Sequence, residues 1–315
     1  MSPEQRHTGA SGTVPSAILQ GDAPSLDAKR LTYGFAVASF LAVAMGCMVA
    51  RAAGVGFGVW ARNPAAWVIG ALLAGLIARI RPAPFVRAVL LIAPLAFLAS
   101  LFNPGTAGVH RWISLGPLHW NVSFLLLSAV TVAFAATTES GPRWTIWAVM
   151  LVQSQLVLQP DASQATAFGA ASVVTLLTTR STRRDRIAAS LFFLLASVLA
   201  WTRPDPLAPV PEVEGIIGLA RSVSGAMAAL CVVSLAAVTI SPLLARKLVL
   251  ARGYPPALAL FVYFLGCMLM PLAGAFPVPL VGMGMSPILG FCFGIGGLIT
   301  VCKPTKPTDY KQSRS

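Results

Sequence analysis

Ten apolar stretches, separated by short connections that hold the polar residues, fill the sequence between residues 32 and 302. A bilayer core of about 30 Å requires about 20 apolar residues per helix, and runs of this kind indicate membrane helices. The predicted helices cover residues 33–49, 65–80, 85–101, 122–137, 144–158, 166–178, 187–201, 216–244, 257–272 and 285–301. The pattern therefore predicts an all-α integral membrane protein, a bundle of about ten transmembrane helices.

Two features of this pattern are irregular. Segments 144–158 and 166–178 are short and flank Gln159-Pro160-Asp161, so they form either two spans or one hairpin that dips into the bundle. Segment 216–244 is long enough to require a kink or a strong tilt.

The two ends of the chain are polar. Residues 1–31 predict a disordered cytoplasmic tail, residues 32–302 the polytopic transmembrane domain, and residues 303–315 a basic cytoplasmic tail. Because no apolar stretch opens the chain, we expect no cleavable signal peptide.

Composition supports the membrane assignment. Hydrophobic residues make up 56% of the chain, charged residues 10%, and the mean hydropathy is +0.77. Soluble domains have about 25% charged residues, and disordered chains are poor in apolar ones, so both classes are excluded. The five cysteines form no CxxC pair and the three histidines are scattered, which argues against a disulfide framework or a metal site.

The distribution of charge predicts the orientation. With the N-terminus in the cytoplasm, 18 of the 23 Lys and Arg residues fall inside. Outside fall Arg51, Arg62, Arg111 and Arg203, and Arg221 lies within the eighth segment. The positive-inside rule therefore favours cytoplasmic N- and C-termini. A basic inner face suits an anionic leaflet, so the net charge of +13 requires no nucleic acid.

Acidic residues are few, and four of the ten lie at the predicted outer face. They are Asp161, Asp205, Glu212 and Glu214. An acidic cluster above a membrane cavity is a candidate reaction site, whereas solvated loop acids are the simpler interpretation. Arg221 is expected to face the bundle and pair with Asp161 or Glu212, the alternative being an arginine that snorkels from the lipid-facing surface.

Three motifs lie in predicted outer connections. The first runs from Gly108 to Pro117 and includes Arg111-Trp112; as a simple interfacial loop, it would anchor Trp112 at the headgroups and bind lipid phosphate through Arg111. The second is Gln159-Pro160-Asp161, a proline turn in which Asp161 caps the next helix, or a functional intramembrane carboxylate. The third, 276–287, is rich in proline and glycine; it is either a plain loop or irregular backbone that lines a cavity.

Together and in this order, the motifs resemble the SEDS family of FtsW-, RodA- and SpoVE-like membrane proteins, which have ten transmembrane helices. The matching residues are Arg111, Trp112, Ile113, Leu115, Gly116, Pro117 and Ser123, then Gln159, Pro160 and Asp161, and finally Pro277, Pro279, Gly284 and Ser286. The resemblance spans roughly residues 33–302.

The sequence also departs from the family pattern. A Gln, Pro, Glu and Lys of the fourth-helix motif are here Asn121, Val122, Phe124 and Leu127, and the Ser-Tyr of the last loop is Gly282-Met283. The family's long outer loop after the seventh helix holds an essential aspartate. Here that loop covers only about residues 202–214. Its nearest match is 211–215, where Glu214 would replace the aspartate.

The resemblance implies a peptidoglycan glycosyltransferase that polymerises lipid II at the outer face of the bacterial inner membrane, in cell division or cell-shape control, beside a class B penicillin-binding protein. Such chemistry needs a carboxylate to deprotonate a sugar hydroxyl, and cations or a divalent metal to hold the diphosphate. The candidate carboxylates are Glu214 and Asp161. The candidate substrate-binding residues are Arg111, Trp112, Gln159, Arg221 and Ser286.

Two other functions fit the same sequence. A catalytically degenerate relative would bind a lipid-linked precursor or a membrane partner as a scaffold, which the lost charged pair and the short outer loop favour. A flippase would use the same central carboxylates to move a lipid-linked substrate.

Overall fold

Helices make up most of the computed structural model, which describes residues 26–137, 143–178, 182–245 and 255–303. The α-helices are α1 Leu26–Ala52, α2 Phe57–Trp60, α3 Arg62–Ile77, α4 Pro82–Leu101, α5 Val122–Thr137, α6 Trp144–Leu158, α7 Ala162–Leu177, α8 Arg183–Trp201, α9 Ile216–Val223, α10 Gly225–Ile240, α11 Pro255–Leu269 and α12 Met285–Val301. Strands β1 Trp112–Leu115 and β2 Leu118–Asn121 pair antiparallel. The helical fold is confirmed, and this hairpin is the departure from the all-α prediction.

Each of the ten predicted segments contains a helix. Segment 216–244, for which a kink or a strong tilt was predicted, is broken at Ser224, whose extended backbone separates α9 from α10. The Ser224 hydroxyl accepts the N–H of Met227 and thereby caps α10. Segments 144–158 and 166–178 are separate helices, α6 and α7.

Helix α1 begins at Leu26, so residues 26–31 are helical and the prediction of a disordered tail over 1–31 is wrong there. Ala28, Leu31 and Phe35 are buried at three- and four-residue spacing, so this stretch presents an apolar face to the bundle. The remainder of that tail, 1–25, and residues 304–315 of the predicted basic tail lie outside the described residues.

The exterior of the bundle is apolar. Leu72, Leu95 and Leu195 are 66%, 64% and 67% exposed, whereas a soluble protein buries most side chains of this kind. Within the described residues, four helices are long and apolar enough to cross a membrane: Ala28–Ala52, Pro82–Leu101, Gly225–Leu244 and Pro255–Leu272. These are the features of a helical membrane protein. The count of ten spans and their orientation stay predictions.

Helix α12 packs between α3 and α5 in the interior. Any side chain at Gly290 would collide with the backbone carbonyl of Phe124 on α5, and one at Gly296 would lie 2.8 Å from the carbonyl of Ala74 on α3. Small residues at such crossings let membrane helices approach closely.

One end of the bundle carries all three motifs. The β-hairpin, with Gly116 at positive φ in its two-residue turn, follows α4 and leads into α5. Hydrogen bonds join it to the turn between α6 and α7, and join segment 273–284 to segment 202–215. Residues far apart in the chain therefore meet at this end.

Candidate functional site

A cavity of about 60 Å³ lies between the β-hairpin, the start of α7 and segment 202–215. The predicted site residues Arg111, Trp112, Asp161 and Glu214 all line it. Asn121, Ser163 and Asp205 contribute the other polar side chains of its wall. The fold thus brings together a cation and three carboxylates that the sequence distributes over more than 100 residues.

Arg111 is the central group of the cavity and is 6% exposed. It donates from Nε to the carbonyl of Gln159 at 3.3 Å and from a terminal nitrogen to the carbonyl of Pro160. The same terminal nitrogen lies 2.6 Å from Asp205 Oδ2, and Nε lies 4.0 Å from Asp161 Oδ2. Two carboxylates therefore compensate one buried guanidinium, and the two carbonyls fix its direction.

Asp161 caps α7, as the proline-turn interpretation predicts. Its Oδ1 accepts the N–H of Gln164 at 3.3 Å and the hydroxyl of Ser163 at 3.1 Å. Its Oδ2 is buried and accepts no hydrogen bond from the part of the chain that the structure describes. The cap thus uses one oxygen, and the other faces the guanidinium of Arg111.

Glu214 lines the cavity from the turn before α9. Its Oε2 accepts the N–H of Val210 at 2.7 Å, which closes a short turn over residues 210–214. Burial raises the pKa of the Glu214 carboxyl above 4.5, and the nearby carboxylates of Asp205 and Glu212 raise it further. Hydrogen bonds from backbone N–H groups act in the opposite direction. A carboxylate with a raised pKa is a stronger base than an ordinary glutamate.

Gln159 and Ser286 lie behind the wall of the cavity rather than on it. The Gln159 side chain is fully buried, donates to the Ser100 hydroxyl and accepts from the Ser123 hydroxyl at 3.3 Å. The Ser286 hydroxyl accepts the N–H of Asn121 at 2.9 Å and so joins α12 to the β-hairpin. Both residues therefore hold the residues of the wall in place.

The prediction that Arg221 faces the bundle is wrong. The buried face of α9 consists of Ile216 and Ala220, so Arg221 points outward and is exposed. It does not line the cavity, and within the described ranges it forms no ion pair with Asp161 or Glu212. The sequence offered no means of locating the break at Ser224 that sets this orientation.

Asp205 is an exposed loop residue, as the interpretation of a loop acid predicts, but it is not solely solvated. Asp205 lies between two prolines, yet its side chain is only 29% exposed and binds Arg111. Sequence reasoning also missed Asn121 and Ser163 as wall residues. Ser163 carried a signal, since it lies two residues beyond Asp161, where the second motif ends.

No group of three or more His, Cys, Asp or Glu residues within the described ranges is placed to hold a metal ion. Arg111 is the cation of the cavity.

Several solved structures match the chain, and three of them cover 86% of it. The rod shape-determining protein RodA of Thermus thermophilus matches with a TM-score of 0.65 at 19% identity over 86% of this chain and 96% of its own. An aspartate-to-alanine mutant of that RodA matches with the same values. The chain has the RodA fold.

Another match to this fold comes from a structure described as the structural coordination of polymerization and crosslinking by a peptidoglycan synthase complex. It has a TM-score of 0.64 at 18% identity, over 86% of this chain and 97% of that one. No protein-family model and no curated protein matches the sequence. RodA is a SEDS family member, so the resemblance drawn from the three motifs is confirmed at the level of the fold.

Proposed function

We propose that this protein is a peptidoglycan glycosyltransferase that polymerises lipid II at the outer face of the bacterial inner membrane, in cell-shape control or cell division. One observation carries the proposal: within a RodA fold, Arg111, Trp112, Asp161 and Glu214 line the same cavity. These residues supply the two groups that such a reaction requires, a base and a cation.

Glu214 is the proposed general base. It accepts the proton of the acceptor sugar hydroxyl while that oxygen forms a bond to the anomeric carbon of the donor, and the bond from this carbon to the diphosphate breaks. Half-burial and the neighbouring carboxylates favour its protonated form, which makes the ionised form a better proton acceptor. Asp161, whose Oδ2 accepts no hydrogen bond within the described residues, is the second candidate for this role.

Arg111 is the proposed partner of the diphosphate. A guanidinium neutralises charge on the leaving oxygen, and its nearly complete burial strengthens that interaction. Asp205 binds Arg111 at 2.6 Å. We expect the diphosphate to displace Asp205, which is the more exposed of the two carboxylates beside this arginine.

A class B penicillin-binding protein is the proposed partner. The support is the likeness to a chain of a peptidoglycan synthase complex. The apolar exterior of the helices provides the membrane surface on which a single-span partner and the polyprenyl tail of lipid II would lie.

The test is glycan synthesis from lipid II by the purified protein in proteoliposomes, alone and with the candidate partner. Formation of glycan chains in either condition supports the proposed glycosyltransferase activity. Their absence in both, under conditions where an authentic family polymerase is active, contradicts it.

A non-catalytic scaffold is the second candidate. Its support is that Phe124 and Leu127 replace the family's charged pair, and both are buried. A scaffold would stimulate crosslinking by its partner or bind lipid II without consuming it. A flippase would instead move lipid II across the proteoliposome bilayer, which quenching of a labelled headgroup on the outer leaflet detects.

A further inference from the structure

We infer that Asn63 is a positioning residue. It holds Glu214 in the cavity through residues 277–284, the last part of segment 273–284, which is called the loop below. Asn63 touches neither the cavity wall nor Glu214, so it acts through the backbone of that loop. The inference rests on the proposed function insofar as Glu214 is the base. The placement of Glu214 is tested separately below.

Both polar atoms of the Asn63 amide form hydrogen bonds with the loop. Asn63 lies in the first turn of α3 and is 1% exposed. Its Nδ2 donates to the carbonyl of Gly282 at 3.0 Å, and its Oδ1 accepts the N–H of Gly284 at 3.2 Å. The backbone of Gly282 and Gly284 is irregular, so no helix satisfies these two polar groups. The Asn63 side chain supplies their hydrogen bonds instead.

The loop passes this restraint to the turn of Glu214. Met283 donates its N–H to the carbonyl of Glu212 at 2.9 Å, and Val278 donates to the carbonyl of Val213 at 3.2 Å. These two carbonyls belong to the residues directly before Glu214. Two backbone hydrogen bonds therefore bind the 210–214 turn to the loop.

Close packing leaves the loop little freedom. A Cβ on Gly282 would lie 2.6 Å from the Val213 carbonyl oxygen and 2.7 Å from that of Val278. Leu280 is fully buried with φ +65°, a conformation that costs about 1–3 kcal/mol and persists only where the surroundings impose it. Asn63 on one side and the 210–214 turn on the other provide such surroundings.

The carboxyl of Glu214 reports on this arrangement. Asp205 and Glu212 face it from its own segment, Arg111 from the start of the hairpin and Asp161 from α7. If the loop moves away, water reaches Glu214, and its pKa falls towards 4.5 because the desolvation that raises it is relieved.

The experiment is a ¹³C NMR titration of carboxyl-labelled glutamate in the full-length protein in nanodiscs. The chain has four glutamates, Glu4, Glu139, Glu212 and Glu214, so the spectrum is simple and Glu214→Gln identifies the signal. In Asn63→Ala, we expect the Glu214 midpoint to fall, because water reaches the carboxyl and relieves the desolvation that raises its pKa. Gly282→Ala perturbs the loop from the opposite side and should shift the midpoint in the same direction.

The matched control is Gln155→Ala. Gln155 is also a buried amide, and it donates to the carbonyl of Pro94 at 3.0 Å, away from the loop. Its loss should leave the Glu214 midpoint unchanged. An unchanged midpoint in both loop variants, or an equal shift in Gln155→Ala, would overturn the inference.

The wild type provides a test that needs no variant to fold. The N–H groups of Val278, Met283 and Gly284 should exchange slowly with deuterium although they lie outside any helix. Rapid exchange would contradict the hydrogen bonds through which Asn63 and the 210–214 turn hold the loop. Neither measurement requires activity. Failure to polymerise lipid II therefore removes the proposed function and leaves the result on Asn63 to be decided by the titration and the exchange.

Discussion

At the scale of single residues, the cavity depends on the balance of charge around Arg111. Its guanidinium is buried and is shared by Asp161, Asp205 and two carbonyls of the proline turn. Removing one member of such a group strands the opposite charge away from water. Arg111, at the start of the β-hairpin, therefore joins this hairpin to the turn between α6 and α7 and to segment 202–215. This structural role is additional to its proposed role toward the diphosphate.

We expect Arg111→Met to destabilise the protein by about 3–5 kcal/mol, because it leaves a buried carboxylate at Asp161 without a cation. Arg221→Met is the matched control: this side chain is exposed, and its loss should change stability by less than about 0.5 kcal/mol. Thermal unfolding in detergent, followed by circular dichroism, compares the two. An equal loss of stability in Arg111→Met and Arg221→Met would contradict the structural role of Arg111.

Local spacing predicted the residues whose partners lie nearby in the chain. Asp161 after Gln159-Pro160 predicts a helix cap, and Asp161 forms that cap. The partner of Asp205 is 94 residues away, so no local pattern connects it to Arg111. The role of Asn63 was not predicted for the same reason, since its partners Gly282 and Gly284 lie near the other end of the chain.

At the scale of elements, hydropathy predicted which segments are helical, because burial in lipid favours helices whatever their partners. It did not predict the β-hairpin, although the alternation around Gly116-Pro117 is typical of one. The apolar run of 216–244 continues through Ser224, so hydropathy alone could not place the break between α9 and α10.

The contact between α5 and α12 depends on Gly290. In Gly290→Ala the new methyl group meets the backbone carbonyl of Phe124, which no rotamer change relieves, so we expect a loss of about 1–3 kcal/mol or more. Gly75→Ala, on the exposed face of α3 with open space around it, should be neutral or stabilising by up to about 1 kcal/mol. The unfolding temperatures of the two variants give the comparison, and a stable Gly290→Ala protein would rule out this close approach.

At the scale of the whole molecule, the orientation in the membrane follows from the distribution of Lys and Arg. Both termini should be cytoplasmic, with segment 202–215 outside. In a variant without native cysteines, an impermeant maleimide should label Ala208→Cys in intact cells but reach Ser181→Cys only after lysis. Labelling of Ser181→Cys in intact cells would reverse the topology.

The central claim is that the protein polymerises lipid II with Glu214 as its base. The most direct measurement is the initial rate of glycan formation by the purified wild type, Glu214→Gln and Glu212→Gln in the same proteoliposomes. Removing a positioned base should reduce the rate by about 10²–10⁴-fold, whereas Glu212, whose side chain does not line the cavity, should tolerate the same change with most activity retained. Equal rates for the wild type and Glu214→Gln, or a wild type that forms no glycan, would contradict the claim.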